Sequence, residues 1–115
     1  MSHHRTVHEL RVAAESGDRT RLLPLLDPAV AVVVDPGASL RQGPRVVQGR
    51  LDAADLLLHG MLARPGVVID ERAVNGQSGL VLSRENRPAA AITVDFTRNL
   101  ISVVWVTLLS AARIP

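Results

Sequence analysis

Apolar residues recur along this chain with two different periods, and the change of period divides it. Up to about residue 64 the spacing is mostly helical; from Val67 onward it is that of strands. Thr6 followed three residues later by Glu9 has the form of a capping box. Val7, Leu10 and Ala14 then share a face, and Gly17 can close the helix, which predicts α-structure over about 6 to 16. Asp18 is placed to cap a short second helix carrying Leu22, Leu23 and Leu26, weakened by Pro24 and ended by Asp27-Pro28. The β-branched run AVAVVV at 29 to 34 predicts a buried strand stopped by Asp35-Pro36-Gly37. A loop rich in Pro and Gly follows, with room for a short strand at Val46-Val47. LDAADLLLHGMLAR at 51 to 64 then spaces Leu51, Ala54, Leu58, Met61 and Leu62 as a third helix. Asn75-Gly76, Glu85-Asn86 and Arg98-Asn99 separate four strands at about 67 to 74, 78 to 84, 88 to 96 and 100 to 108.

Three helices ahead of a four-stranded antiparallel meander imply an α+β domain with the helices on one face of the sheet. A sheet with one wet face alternates apolar and polar residues, but AAAIT and LISVVWV are nearly apolar on both sides. The outer face therefore needs a cover, and a homodimer joined sheet to sheet is the economical one, with Val104 or Val106 expected on the outward side.

At 115 residues the chain has room for one domain, 1–115, and one core. A hydrophobic content of 47% with 21% charged residues excludes disorder. The absence of cysteine excludes disulfides, thiolate metal sites and a cysteine nucleophile. The isoelectric point near 10.9 arises because all 13 basic residues are Arg. The net charge is only +2 and the Arg residues are scattered, so no basic stripe marks a nucleic-acid footprint. His3, His4, Arg5, His8 and Glu9 interrupt any leader-like start, and the longest apolar run, Leu100 to Ala112, falls short of the roughly 18 residues of a membrane helix. The expectation is a cytoplasmic protein that engages neither nucleic acid nor membrane.

Asp35 is the first candidate for chemistry, because a carboxylate ending a buried strand at a pocket mouth can serve as general base; the alternative is a strand-ending Asx turn. His59, in the third helix beside Leu58, is the second, as a pocket acid/base or hydrogen-bond donor, although a lone helical His is commonly structural. The adjacent pair His3 and His4 lacks the i, i+4 spacing of a helical metal site, and no metal is expected. Trp105, the single Trp, is either a flat wall of a pocket or an interface anchor.

The order of elements, with AESGDRTRLLPLLDPAVAVVVDPG near the start, resembles the SnoaL-like branch of the nuclear transport factor 2-like (NTF2-like) superfamily. VNGQSGLVLSRENRPAAAITVDFTRNLISVVWVTL at 74 to 108, with VVQGRLDAADLLLHGML at 46 to 62, is similar to the SnoaL-like domain at the carboxyl end of actinobacterial extracytoplasmic-function sigma factors. That family's Gly-rich segment ending in Lys is replaced here by Asp35-Pro36-Gly37-Ala38. The resemblance implies a cystatin-like cone, three helices on a curved, mostly antiparallel sheet enclosing a pocket, and no cofactor. Two functions follow. One is a ligand-binding or regulatory module for a small apolar molecule, its pocket lined by Val32, Val34, Leu58, Met61, Leu62, Ile92, Val94 and Trp105. The other is a small enzyme of the polyketide cyclase, ketosteroid isomerase or epoxide hydrolase type, with Asp35 as base and Arg41, Arg45 or His59 as polar partner.

Overall fold

The computed structural model describes residues 3–36, 43–62 and 66–109. Its first helix, α1, runs His3–Ser16 and buries Val7, Leu10, Ala13 and Ala14. It starts three residues before the expected capping box, so Thr6 is an interior helical residue, only 3% exposed, rather than a cap. The extra turn is held by packing: the His3 ring stacks on Phe96 with centroids 3.8 Å apart and planes 12° from parallel. Gly17 ends α1 at a φ of 66°, where the amides of Gly17 and Asp18 donate to the carbonyls of Ala14 and Ala13. Asp18 caps α2, Arg19–Leu22, by accepting from the Thr20 and Arg21 amides, and Pro24 turns the next residues, Leu23–Leu25, into a 3₁₀ turn.

Strand β1 is Leu26–Asp35, longer than its β-branched core. Pro28 is tolerated inside it because the ladder to the neighbouring strand is interrupted between Leu26 and Ala31, where no proline amide is required. Strand β2, Arg45–Gln48, includes the expected Val46-Val47, and α3, Arg50–Asp55, continues as a π-helical stretch over Leu56–Leu62. Arg50 Nε and Nη2 both donate to the Leu26 carbonyl, at 3.1 and 2.9 Å, and Arg19 pairs with Asp55, which ties α3 to the chain ahead of β1. Strands β3 (Val67–Val74), β4 (Gln77–Arg84), β5 (Arg87–Thr97) and β6 (Leu100–Leu108) form the expected meander. Each of its hairpins turns on two residues of positive φ: Asn75 with Gly76, Glu85 with Asn86, and Arg98 with Asn99.

The six strands lie in the order β2-β1-β6-β5-β4-β3. Only β1 and β6 run parallel; the other pairs are antiparallel, so the sheet is mixed and not closed. The helices cover one face, which carries Val30, Val32, Leu80, Ile92, Val104 and Val106, each no more than 1% exposed. That corrects one expectation. Val104 and Val106 both face inward, since residues two apart on a strand share a side, and the outward side of β6 carries Val103, Trp105 and Thr107. The step of parity comes at a bulge opposite Asp95 and Phe96, where the β5–β6 register shifts and Ser102 is left over.

Candidate functional site

Burial along the inner face falls off towards both sets of strand ends, with Phe96 and Ala73 less covered at one and Val34, Val67 and Leu108 at the other. At the end marked by Val34 lie the carboxyl ends of β1, β6 and β4 and the amino ends of β3, β5 and β2, because the register pairs Val34 with Val106 and Arg45, Leu108 with Ala90, and Val67 with Arg84. Val34, Val67 and Leu108 share the parity of the buried inner residues yet are only partly buried, packed against the core on one side. The helical stretch Leu56–Leu62 leads towards this end, since the chain re-enters the sheet there at Val67. At this end, the mouth of the inner face, Val34, Val67 and Leu108 share their parity with Arg45 and Arg84 and border the core cluster that contains Leu57, Leu58, Ile92 and Val106.

Of the residues expected to line a pocket, Val32, Leu58, Ile92 and Val94 are buried in that core, at 0, 2, 1 and 6% exposure, and Val34 stands at the mouth. Arg45 is exposed on the short edge strand opposite Val34. Arg41 lies outside the described residues, as do the side chains of Met61 and Leu62. Trp105 does not line the interior: it is 43% exposed on the outer face, and its indole N–H donates to Asp95 Oδ2 at 2.8 Å. The two proton-transfer candidates are also on the surface. Asp35 is exposed, because the alternation that buries Val30 and Val32 turns residue 35 to the other side, in register with Thr107. His59 is exposed on the helix while Leu57 and Leu58 beside it are buried. The structure thus does not bring Asp35 and His59 together in the interior.

A polar cluster that periodicity did not single out lies on the edge strand under α1. Glu71 occupies an inward position on β3, opposite Leu80, where an apolar residue would be expected. Its Oε2 accepts from Arg11 Nε and lies 2.7 Å from His8 Nδ1, while Arg11 Nη1 reaches Glu15 at 3.0 Å. Burial, the largest single influence, pushes the Glu71 carboxyl up. The hydrogen bonds from Arg11 and His8, together with their charges, outweigh it and hold the group below its ordinary value. The same pairing with Glu71, added to Glu15, holds the Arg11 guanidinium even more firmly protonated than usual. Beside the cluster His4 Nδ1 approaches Ser78 Oγ at 3.3 Å, and His4, Val7, Glu71, Arg72, Ala73, Ser78 and Gly79 line a cleft of about 300 Å³. The available signal was the helical spacing of His4, His8, Arg11 and Glu15, a polar stripe next to the apolar one, meeting an acid in a strand. This cleft is at the edge of the sheet, and Val34, Val67 and Leu108 are not among its lining residues. Among the described residues no group of three or more His, Asp or Glu side chains could hold a metal ion, and no helix is long and apolar enough to cross a membrane.

No family model matches the sequence, and no curated protein does. Solved structures do match. An NTF-2 like protein of unknown function from Burkholderia xenovorans LB400 superposes with a TM-score of 0.67 at 13% identity, over 96% of this chain and 91% of that one. The Mycobacterium tuberculosis extracytoplasmic function sigma factor SigJ superposes with a TM-score of 0.68 at 20% identity, over 93% of this chain but 42% of the sigma factor. A putative ketosteroid isomerase from Kribbella flavida DSM 17836 gives 0.64 at 13% identity, over 96% and 80% of the two chains. At these identities the likeness is one of fold. The chain has the NTF2-like α+β fold that its sequence resembled, three helices on one face of an open sheet.

Proposed function

We propose that this chain is a non-catalytic binding domain that seats a small apolar molecule at the end of its inner sheet face marked by Val34. The observation that carries the reading is the graded burial along that face. Val30, Val32, Val104 and Ile92 are closed over, whereas Val34, Val67 and Leu108, of the same parity, are left partly uncovered at one end. Apolar side chains bordered by a few polar groups, here Arg45 and Arg84 on the same parity, are the usual lining of a small-molecule site. Isomerase-type chemistry on this fold would run through Asp35 as base with a polar partner such as His59, Arg41 or Arg45. A general base needs a partner within hydrogen-bond reach in a sheltered site, and the exposure of Asp35, His59 and Arg45 favours binding over proton transfer. Among the described residues Thr6 is the sole buried polar side chain, which points the same way.

The test has two arms. Native mass spectrometry of protein purified from its own host is expected to show a retained small molecule. Titration with the fluorophore anilinonaphthalene sulfonate is expected to saturate at one site per chain. Leu108→Asp and Val67→Asp, placed at strand ends where a carboxylate can stay solvated, should weaken that binding by about tenfold or more while circular dichroism remains unchanged. Binding unaltered by both substitutions would move the site elsewhere, and turnover of a steroid or polyketide substrate abolished by Asp35→Asn would replace this reading with the enzymatic one.

A further inference from the structure

The adjacent pair His3 and His4 has no metal-site spacing, but α1 carries a second pair that does. His4 and His8 are four residues apart within His3–Ser16, so their side chains stand one turn apart on the same face, with Cβ atoms about 5 to 6 Å from each other. Two imidazoles at that interval on one helix can reach a common ion. The contacts of the two rings make the spacing specific. His8 Nδ1 lies 2.7 Å from Glu71 Oε2, and His4 Nδ1 lies 3.3 Å from Ser78 Oγ. Each ring meets the sheet through the same nitrogen, and Nε2 takes no part in either contact.

The sheet spaces these two anchors to match the helix. Ser78 is the register partner of Ala73, and Glu71 precedes Ala73 by two residues. Glu71 and Ser78 therefore form a diagonal pair on the inward side of β3 and β4, about 7 Å apart. One turn of α1 laid over that diagonal brings a histidine to each. The carboxylate has a further effect. As an acceptor it takes the Nδ1 proton of the neutral His8 ring, which puts the lone pair on Nε2 and makes that nitrogen the more basic ligand. Charge agrees, since two carboxylates, Glu71 and Glu15, stand against the single Arg11 guanidinium they share. Access agrees as well: His4 is exposed, the His8 side chain is 45% exposed, and the cleft of about 300 Å³ lined by His4, Glu71 and Ser78 has room for water around a bound ion.

We propose that His4 and His8 bind a divalent ion of the zinc class through their Nε2 atoms, with Glu71 and Ser78 orienting the two rings. Imidazole nitrogen selects zinc, nickel or copper over magnesium and calcium, which take oxygen ligands. Two protein ligands are one fewer than a catalytic zinc site has, so water completes the shell and the ion is exchangeable. Calorimetric titration of the chain with Zn²⁺ is expected to give one ion per chain, and Mg²⁺ at the same concentration no heat. Zn²⁺ should also raise the urea midpoint, because the pair is assembled only on the folded helix. Nitrogen-15 NMR of the imidazoles should show both rings coordinated through Nε2, with the His8 proton retained on Nδ1. His4→Ala and His8→Ala should each weaken binding by about tenfold or more, and Glu71→Gln by about tenfold through loss of the orienting carboxylate. His4→Ala introduces a good helix former at an exposed position, so its circular dichroism should match the parent and its loss of affinity reports the ligand. His3→Ala and His59→Ala should leave binding unchanged. Absence of binding at millimolar Zn²⁺, coordination through Nδ1, affinity that survives both His4→Ala and His8→Ala, or affinity that vanishes with His3→Ala overturns the proposal.

Discussion

The two faces of this sheet are written in nearly the same alphabet and have different fates. On β1, Val32 is wholly buried against the helices and Val33 beside it is partly exposed; on β6, Val104 is wholly buried and Trp105 beside it is 43% exposed. Hydrophobicity alone does not separate these neighbours. What separates them is which parity meets the helical layer, decided by α1 and α3, whose own apolar stripes must be buried somewhere. The inner face is consumed by folding. The outer face keeps its central side chains partly exposed, and the indole N–H of its Trp is satisfied by Asp95 within the same chain.

Adjacent substitutions on one strand give the sharpest way to break that comparison. Val104→Asp places an unpaired carboxylate in the core and should cost about 4 kcal/mol or more, enough to unfold a domain of this size. Val103→Asp places the same carboxylate on the partly exposed outer face and should leave the chain folded, at a cost of about 1 kcal/mol or less. Urea unfolding read by circular dichroism distinguishes the two outcomes; equal loss of stability would mean that the outer face is buried as deeply as the inner one.

A milder version of the same contrast is Val32→Ala against Val33→Ala. The first removes two buried methyl groups and leaves a cavity, at a cost of about 2 kcal/mol. The second is expected within about 0.5 kcal/mol of the parent protein. Destabilisation of similar size at both positions would place Val33 in the core as well.

Much of this architecture could be read in advance because local chemistry and tertiary structure agree. Three hairpins fall at dipeptides that accept positive φ, Asp18 caps α2, and Gly17 closes α1. Where reading failed, a long-range contact decided. The start of α1 depends on the His3 ring lying on Phe96, more than ninety residues along. The direction of Trp105 depends on a bulge at Ser102 that shifts parity, and the exposure of Asp35 on which side of β1 meets the helices. Glu71 was invisible as a site residue because its partners, His8 and Arg11, belong to a helix whose register against β3 no spacing reveals.

Glu71 is a partly buried carboxylate on the inner face, and its pH dependence measures how that charge is accommodated. In the folded chain its carboxyl is held below the ordinary value of 4.5 by the Arg11 and His8 contacts, against the opposing effect of burial. A carboxyl with a lowered folded-state pKa stabilises the native state above its unfolded value, and that contribution disappears as the pH falls through the folded value. The parent protein should therefore lose stability on acidification below about pH 4.5, beyond the share due to its other carboxyls. Glu71→Gln keeps the size and one acceptor oxygen but removes the charge, so it should lower stability at pH 7 by about 1 kcal/mol and flatten that part of the acid limb. His8→Gln should weaken the same limb without removing it, because Arg11 still holds the carboxylate. Urea midpoints taken from pH 7 to pH 3 check the sign: if the Glu71→Gln protein is the more stable of the two at neutral pH, burial outweighs the pairing, and the inner face at β3 is strained by its carboxylate rather than secured through it.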